Sequence, residues 1–241
     1  MENSPDPILI ILHQESSSPG RVGARLKAMG YALDIRKPRF GDQLPQTMEK
    51  HSGCVIFGGP MSANDDDEFI RREINWIEVP LKENKPFLGI CLGAQMLVKH
   101  LGSDVAEHCQ KKVEVGYYPI EHTARGRQLI NWPDHVYQWH REGFALPGGA
   151  ELLATGDTYK NQAFLFGENA YGLQFHPEVN LAMMHRWTVK GAARFQLNGA
   201  QDRSQHFKGR TFYDAPLKAW LYQFLDFWLA GKPRDQSNPL E

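Results

Sequence analysis

The run Phe87-Leu88-Gly89-Ile90-Cys91-Leu92-Gly93-Ala94-Gln95 sets a cysteine between two glycines, directly after a short apolar stretch. An apolar strand that turns sharply into a helix at such a point is a nucleophile elbow, here in its cysteine form. The bend leaves no room for side chains two residues before or after the nucleophile, and Gly89 and Gly93 meet that need. It also puts the sulfur at the carboxyl end of a strand and the N-terminus of a helix, where partial positive charge favours a sulfur anion. The alternative is a small buried cysteine of the core, the commoner fate of this residue type.

A thiol nucleophile needs a base, and the base needs an orienting group. Downstream, Tyr171-Gly172-Leu173-Gln174-Phe175-His176-Pro177-Glu178 reads as an apolar strand ending in His-Pro-Glu. In an extended chain residues i and i+2 project to the same side, so His176 and Glu178 are neighbours. Pro177 holds His176 extended. One imidazole nitrogen then faces Glu178 and the other is free for the Cys91 proton. A structural histidine at a strand end is the alternative here. A further strand, Val55-Ile56-Phe57, runs into Gly58-Gly59-Pro60. A glycine amide there, with the Leu92 amide beside the cysteine, could hold the oxyanion of a tetrahedral intermediate. By itself Gly-Gly-Pro is only a turn.

These segments need a sheet to position them. Residues 7–13 read as a buried strand, 21–29 as a helix stopped by Gly30, 32–36 as a second strand and 53–57 as a third. The stripe Phe69, Ile70, Ile74, Ile77 and Leu81 predicts a long amphipathic helix. Residues 87–90 form the fourth strand and 93–101 the helix beyond the elbow. Strands alternating with helices predict a parallel sheet covered on both faces. Residues 112–122, 135–140, 151–155, 163–166 and 171–175 read as short strands that extend or return to the same sheet. Helices over 181–196 and 216–229 close the chain. The expected architecture is α/β and flavodoxin-like. It is one domain over 1–233, an open twisted, mostly parallel sheet with helices on both faces and a small antiparallel extension, followed by a flexible polar tail at 234–241.

With 241 residues, 41% of them apolar, the chain can bury one large core. Its 27 basic and 28 acidic side chains leave a formal charge of −1, which excludes a global attraction for nucleic acid or acidic lipid. Cys54, Cys91 and Cys109 make neither a disulfide framework nor a CxxC pair, and the histidines lack ligand spacing, so neither metal nor cofactor is expected. Cys54 reads as core. Asp65-Asp66-Asp67-Glu68 reads as a helix start favoured by the dipole. Residues 203–210, locally basic, read as a solvated loop or a contact for a partner or an anionic substrate. The N-terminal residues form neither a signal peptide nor a membrane span, and a cytoplasmic setting is expected.

Gly58-Gly59-Pro60, the elbow through Gln95, and Phe175-His176-Pro177-Glu178 together resemble the class I, triad-type glutamine amidotransferases. The resemblance extends over roughly the first four-fifths of the chain. It implies an amidotransferase-type α/β fold and release of ammonia from glutamine's side-chain amide through a thioester. Cys91 would be the nucleophile, His176 the base and acid, and Glu178 its orienter. Gly59 and Leu92 would form the oxyanion hole, with Gln95 and Gly58 binding substrate.

The subgroup is similar to the amidotransferase domain of GMP synthase, on Glu114-Val115-Gly116-Tyr117-Tyr118 and on the segment from Gln138 to Pro147. In such relatives the second segment often reads His-Gly-Asp and lines the glutamine pocket, which implicates His140 and Arg141. Here Arg141 and Glu142 replace Gly and Asp. A cation at the pocket mouth is expected to alter which γ-glutamyl compound fits, unless the two residues merely form a surface pair. No P-loop-like motif is present, and the region after His-Pro-Glu is short for a nucleotide-activating domain. Ammonia is therefore expected to pass to a separate synthetase or acceptor subunit, or simply to leave. Two further readings stay open: a γ-glutamyl peptidase acting on a γ-linked peptide or conjugate, and a regulatory partner silent until it binds a synthetase.

Overall fold

Aliphatic runs with both faces covered build the centre of the sheet in a computed structural model of the chain, which describes residues 4–230. The tail expected at 234–241 lies outside the described residues. In chain order come β1 (Ile8–Ile11), α1 (Gly20–Ala28), β2 (Leu33–Arg36), β3 (Gly53–Ile56), α2 (Glu68–Trp76), α3 (Glu78–Lys82), β4 (Phe87–Ile90) and α4 (Leu92–His100). The middle of the chain adds β5 (Val105–Glu107), β6 (Glu114–Pro119), β7 (Glu121–His122), α5 (Ala124–Leu129), β8 (His135–His140) and β9 (Glu142–Phe144). Then follow β10 (Ala150–Thr155), β11 (Ala163–Phe166), β12 (Ala170–Leu173), α6 (Leu181–Lys190) and α7 (Arg203–Ala230).

The main sheet has eight strands in the order β2-β1-β3-β4-β12-β11-β10-β7. Its first five strands are mutually parallel, and β11, β10 and β7 continue it antiparallel. The expected mostly parallel α/β sheet is thus what the chain forms. Alternation along each strand divides the core. Ile8, Ile10, Val55, Leu88 and Ile90 face the layer that contains Val22 and Leu26 of α1 and Leu217, Leu221 and Phe224 of α7. Leu9, Ile11, Cys54, Ile56 and Phe87 face the layer that contains Ile70 of α2 and Met96 and Leu97 of α4. Cys54 is fully buried there, and burial pushes its thiol up, in keeping with a core role.

Three expectations need correction. Residues 112–122 are not one strand: β6 ends at Pro119, which has no N–H to continue a ladder, and pairs with β8 in a separate two-stranded ribbon. A second small ribbon joins β5 to β9, so only β7, β10, β11 and β12 extend or rejoin the main sheet. The long helix expected through Leu81 is two helices that meet at Ile77. Finally, residues 203–210 are no loop: α7 runs unbroken from Arg203 through Pro216 to Ala230. Tertiary ties hold its first half. Asp214 accepts from Arg21 at 2.7 Å and Tyr117 at 3.2 Å, and lies 2.8 Å from Arg210. These contacts outweigh the backbone hydrogen bond that Pro216 forgoes. Among the described residues no helix is long and apolar enough to cross a membrane.

Candidate active site

Three adjacent parallel strands, β3, β4 and β12, deliver the three motifs to one edge of the sheet. Ile90 lies in register with Leu173, and Ile56 with Gly89. The chain beyond these pairs carries Gly58-Gly59, Cys91 and His176, so all emerge side by side at the carboxyl ends, where open α/β sheets place their ligands. The Cys91 amide donates to Leu173 O at 2.7 Å and the His176 amide to Tyr137 O at 2.8 Å, which fixes both turns. A Cβ built on Gly58 would lie 2.7 Å from His176 Cε1 and 3.4 Å from Cys91 Cβ. The glycine is therefore what lets imidazole and thiol share that space.

Cys91 has φ 51° and ψ −105°, a conformation side chains rarely adopt and one that costs about 1–3 kcal/mol. It is the single residue between β4 and α4, as an elbow requires. Both flanking glycines are explained by contact. A Cβ on Gly89 would meet Ala94 N and Gly93 C at 2.6 Å, and one on Gly93 would meet Ile56 O at 2.1 Å. The Gly93→Ala variant is expected to lose about 1–3 kcal/mol in urea unfolding, because the obstruction is backbone on a neighbouring strand. Gly148→Ala, where an added Cβ meets nothing, provides the near-neutral comparison. Equal stability of the two variants would contradict this reading of the elbow.

His176 Nδ1 lies 2.8 Å from Glu178 Oε1, so the two are neighbours as expected, but across a turn at Pro177–Glu178 rather than along a strand, since β12 ends at Leu173. Both are nearly inaccessible, at 4% and 2% exposure, and Cys91 stands at 6%. Burial alone would push the imidazole pKa down. The charges of Glu178 and Cys91 more than offset it and raise the value to about 10. The Trp187 ring meets the imidazole edge-on with centroids 5.0 Å apart and fixes its plane.

Around this centre Gln174, Gln162, His13 and Glu73, which sequence reasoning did not single out, join the expected Gln95 and His140. Gln174 Nε2 approaches Cys91 Sγ at 3.8 Å, and its Oε1 accepts from Gln95 at 3.2 Å. Gln95 also donates to the Glu142 carbonyl at 2.9 Å. That carbonyl is met by His140 Nδ1 at 2.8 Å, while His140 Nε2 reaches Glu114 at 3.0 Å and Gln162 donates to the same carboxylate at 2.9 Å. Gln95 and His140 are thus placed at the site but engaged with the protein. On the other flank, buried His13 bridges the Gly58 carbonyl, at 3.2 Å, and the Glu73 carboxylate, at 2.9 Å. A polar residue inside an otherwise apolar strand, such as Gln174 or Glu114, was the available signal.

The Gly59 and Leu92 amides meet no protein acceptor among the described residues. Arg141 is exposed at the rim, and Glu142 accepts from Ser62 at 2.9 Å, so the two form no pair with each other. A hollow of about 20 Å³ lies over the sulfur, bordered by Cys91, Leu92, Gly59, Gln95, Arg141 and Arg194. A larger one, about 270 Å³, adjoins it across Gly59, Trp139 and Arg194, and is bordered also by His176, Glu178, Gly58 and Trp187. No cluster of three or more metal-ligating side chains occurs among the described residues.

Known proteins resemble the chain over most of its length. The chain is 28% identical over 225 residues to a glutamine amidotransferase-like protein of Salmonella typhimurium, YfeJ, covering 88% of this chain and 90% of that one. It is 32% identical over 140 residues to one subunit of the glutamine-hydrolysing GMP synthase of Sulfurisphaera tokodaii, covering 56% and 72%. A crystal structure of a glutamine amidotransferase from Thermotoga maritima superposes with a TM-score of 0.83 at 32% identity, over 92% of this chain and 97% of that one. The sequence model described as glutamine amidotransferase class-I matches residues 16–190. The chain belongs to the class-I glutamine amidotransferase family.

Proposed function

We propose that the protein hydrolyses the side-chain amide of glutamine, or a related γ-glutamyl amide, through a thioester on Cys91, with release of ammonia. The observation that carries this reading is the buried Cys91–His176–Glu178 cluster at adjacent strand ends. The reactive form pairs the Cys91 sulfur anion with the His176 imidazolium, whose pKa is raised to about 10. Attack on the γ-carbonyl carbon builds a tetrahedral oxyanion, which the Gly59 and Leu92 amides receive. When the C–N bond breaks, the nitrogen takes the His176 proton and leaves as ammonia. A water, deprotonated by the now neutral His176, then opens the thioester and yields glutamate.

Glu178 keeps the imidazole oriented throughout. His13 and Glu73 hold the Gly58–Gly59 turn, and Gln174 and Gln95 brace the elbow against the Glu142 carbonyl. The hollow over the sulfur carries Arg141 and Arg194 on its rim, beside the path by which a γ-glutamyl group reaches Cys91. Likeness to one component of a multi-subunit GMP synthase supports a separate synthetase partner as acceptor of the ammonia. The test is a stoichiometric assay on purified protein. Glutamine is expected to yield glutamate and ammonia in equal amounts, with γ-glutamyl hydroxamate replacing glutamate, and ammonia still released, when hydroxylamine is added. No product from glutamine or any γ-glutamyl amide would overturn the proposal.

A further inference from the structure

Resting on that reading, we propose that His13, braced by Glu73, is a positioning residue: it locks the plane of the Gly58–Gly59 peptide so that the Gly59 amide faces the oxyanion. β1 and β3 are parallel neighbours with Ile11 opposite Ile56, so two residues further on His13 stands beside Gly58. There His13 Nδ1 lies 3.2 Å from the Gly58 carbonyl oxygen. A carbonyl only accepts, so Nδ1 carries a proton and donates. The Gly58 carbonyl and the Gly59 N–H belong to one planar trans peptide and point in opposite directions. Anchoring the oxygen at His13 therefore aims the N–H away from it. Gly59 borders the hollow over Cys91, and its amide meets no protein acceptor among the described residues.

Two glycines in succession need such a lock. Neither has a side chain to pack, and glycine loses more conformational freedom on ordering than any other residue. An oxyanion donor is most effective when it needs no reorientation as charge develops. Glu73 supplies the other end of the brace. Its Oε2 lies 2.9 Å from His13 Nε2, and α2 carries it into the core, where both side chains are fully buried. Among the described residues the Glu73 carboxylate makes no other hydrogen bond. Stability alone does not account for such a pair, because well-packed apolar residues often replace one without loss. His13 borders neither hollow, so it acts through the peptide and not on the substrate.

Two side-chain amides that mimic different imidazole nitrogens test this. In His13→Gln the amide reaches the position of Nε2 and keeps Glu73 partnered, but nothing donates to Gly58. In His13→Asn the amide takes the position of Nδ1 and donates to Gly58, while Glu73 loses its partner. With glutamine as substrate, kcat is expected to fall about 10²-fold in His13→Gln with KM little changed, since the oxyanion contact matures in the transition state. His13→Asn should stay within about fivefold of the wild type, although urea unfolding should find it the less stable of the two. Alkylation of Cys91 by iodoacetamide, which forms no oxyanion, should keep its wild-type rate in both. Equal kcat in the two variants, activity that ranks with stability, or a loss of alkylation matching the loss of kcat would overturn the lock. Long-range proton–nitrogen NMR of the wild type needs no variant: His13 Nδ1 is expected to carry a proton, and a tautomer protonated only at Nε2 would overturn the lock as well. Absence of turnover by the wild type would instead remove the amidohydrolase reading, and this role with it.

Discussion

Replacing Cys91 with alanine is expected to lower glutamine turnover on the order of 10⁵-fold or more, since loss of the nucleophile removes the covalent route entirely. The fold is expected to survive. Cys91 contributes one small side chain to the core and sits at φ 51°, a strained position for any residue with a Cβ. Cys91→Gly offers the sharper comparison, because glycine adopts that conformation without steric cost. This variant is expected to be inactive yet as stable as the wild type in urea unfolding, with relief of about 1–3 kcal/mol of strain set against lost packing. An inactive but stable glycine variant separates chemistry from architecture. Retained turnover in either variant would remove Cys91 from the mechanism.

The second large effect is expected at Glu178. In Glu178→Gln the amide keeps the size of the carboxylate but loses its charge, one of the two charges that hold the imidazole near 10. The His176 pKa should therefore fall, and the alkaline limit of kcat/KM should move to lower pH. Turnover at neutral pH should drop about 10²- to 10⁴-fold, because orientation and imidazolium are lost while nucleophile and base remain. The sign for stability follows from linkage. A folded-state pKa raised above the ordinary 6.5 contributes stability that is complete below about 6.5 and disappears as pH rises toward 10. The variant should lose that contribution at lower pH than the wild type. Histidine NMR titration of both proteins checks the shift directly. An unchanged His176 titration would mean that another group sets its proton affinity.

Much of the site is legible without the fold, because its constraints are local. The elbow needs two glycines at fixed offsets, and the distances to Ala94 N and Ile56 O show why no other residue fits. The pairing of His176 with Glu178 is suggested by their closeness in sequence, although a turn at Pro177–Glu178 and not an extended strand brings it about. Cross-strand matters are less legible. Nothing local marks Pro119 as the point where one strand divides between two sheets, since that depends on where Ala154 and Thr155 place the partner edge. Pro216 reads as a helix start because proline suits that position, yet Arg21 and Tyr117, far away in sequence, hold the preceding turns helical. Arg194 gives no local signal at all. It reaches the site because α6 stops at Gly191, which packs against the Trp139 ring, and the short 3₁₀ turn at Ala192–Gln196 carries the guanidinium inward.

Buried polar groups extend this lesson. Gln174, Gln162 and Glu114 lie in or beside apolar strands and would be errors of composition if left unpaired. Their partners come from β8, from α4 and from one another, so the network exists only once the ribbon of β6 and β8 lies beside the end of β12. The central parallel strands specify where Cys91 and His176 meet. The two small ribbons, which departed from expectation, supply the wall that closes over them.

The most direct test of Cys91 as the attacking group is peptide mass spectrometry after treatment with a chloroketone analogue of glutamine. Two other thiols act as internal controls: Cys54 is buried, whereas Cys109 is exposed and therefore the easiest to reach. A stoichiometric adduct on the Cys91 peptide, suppressed by excess glutamine and absent from Cys109, is the predicted outcome. Labelling of Cys109 alone, or of Cys91 without protection by glutamine, would contradict it.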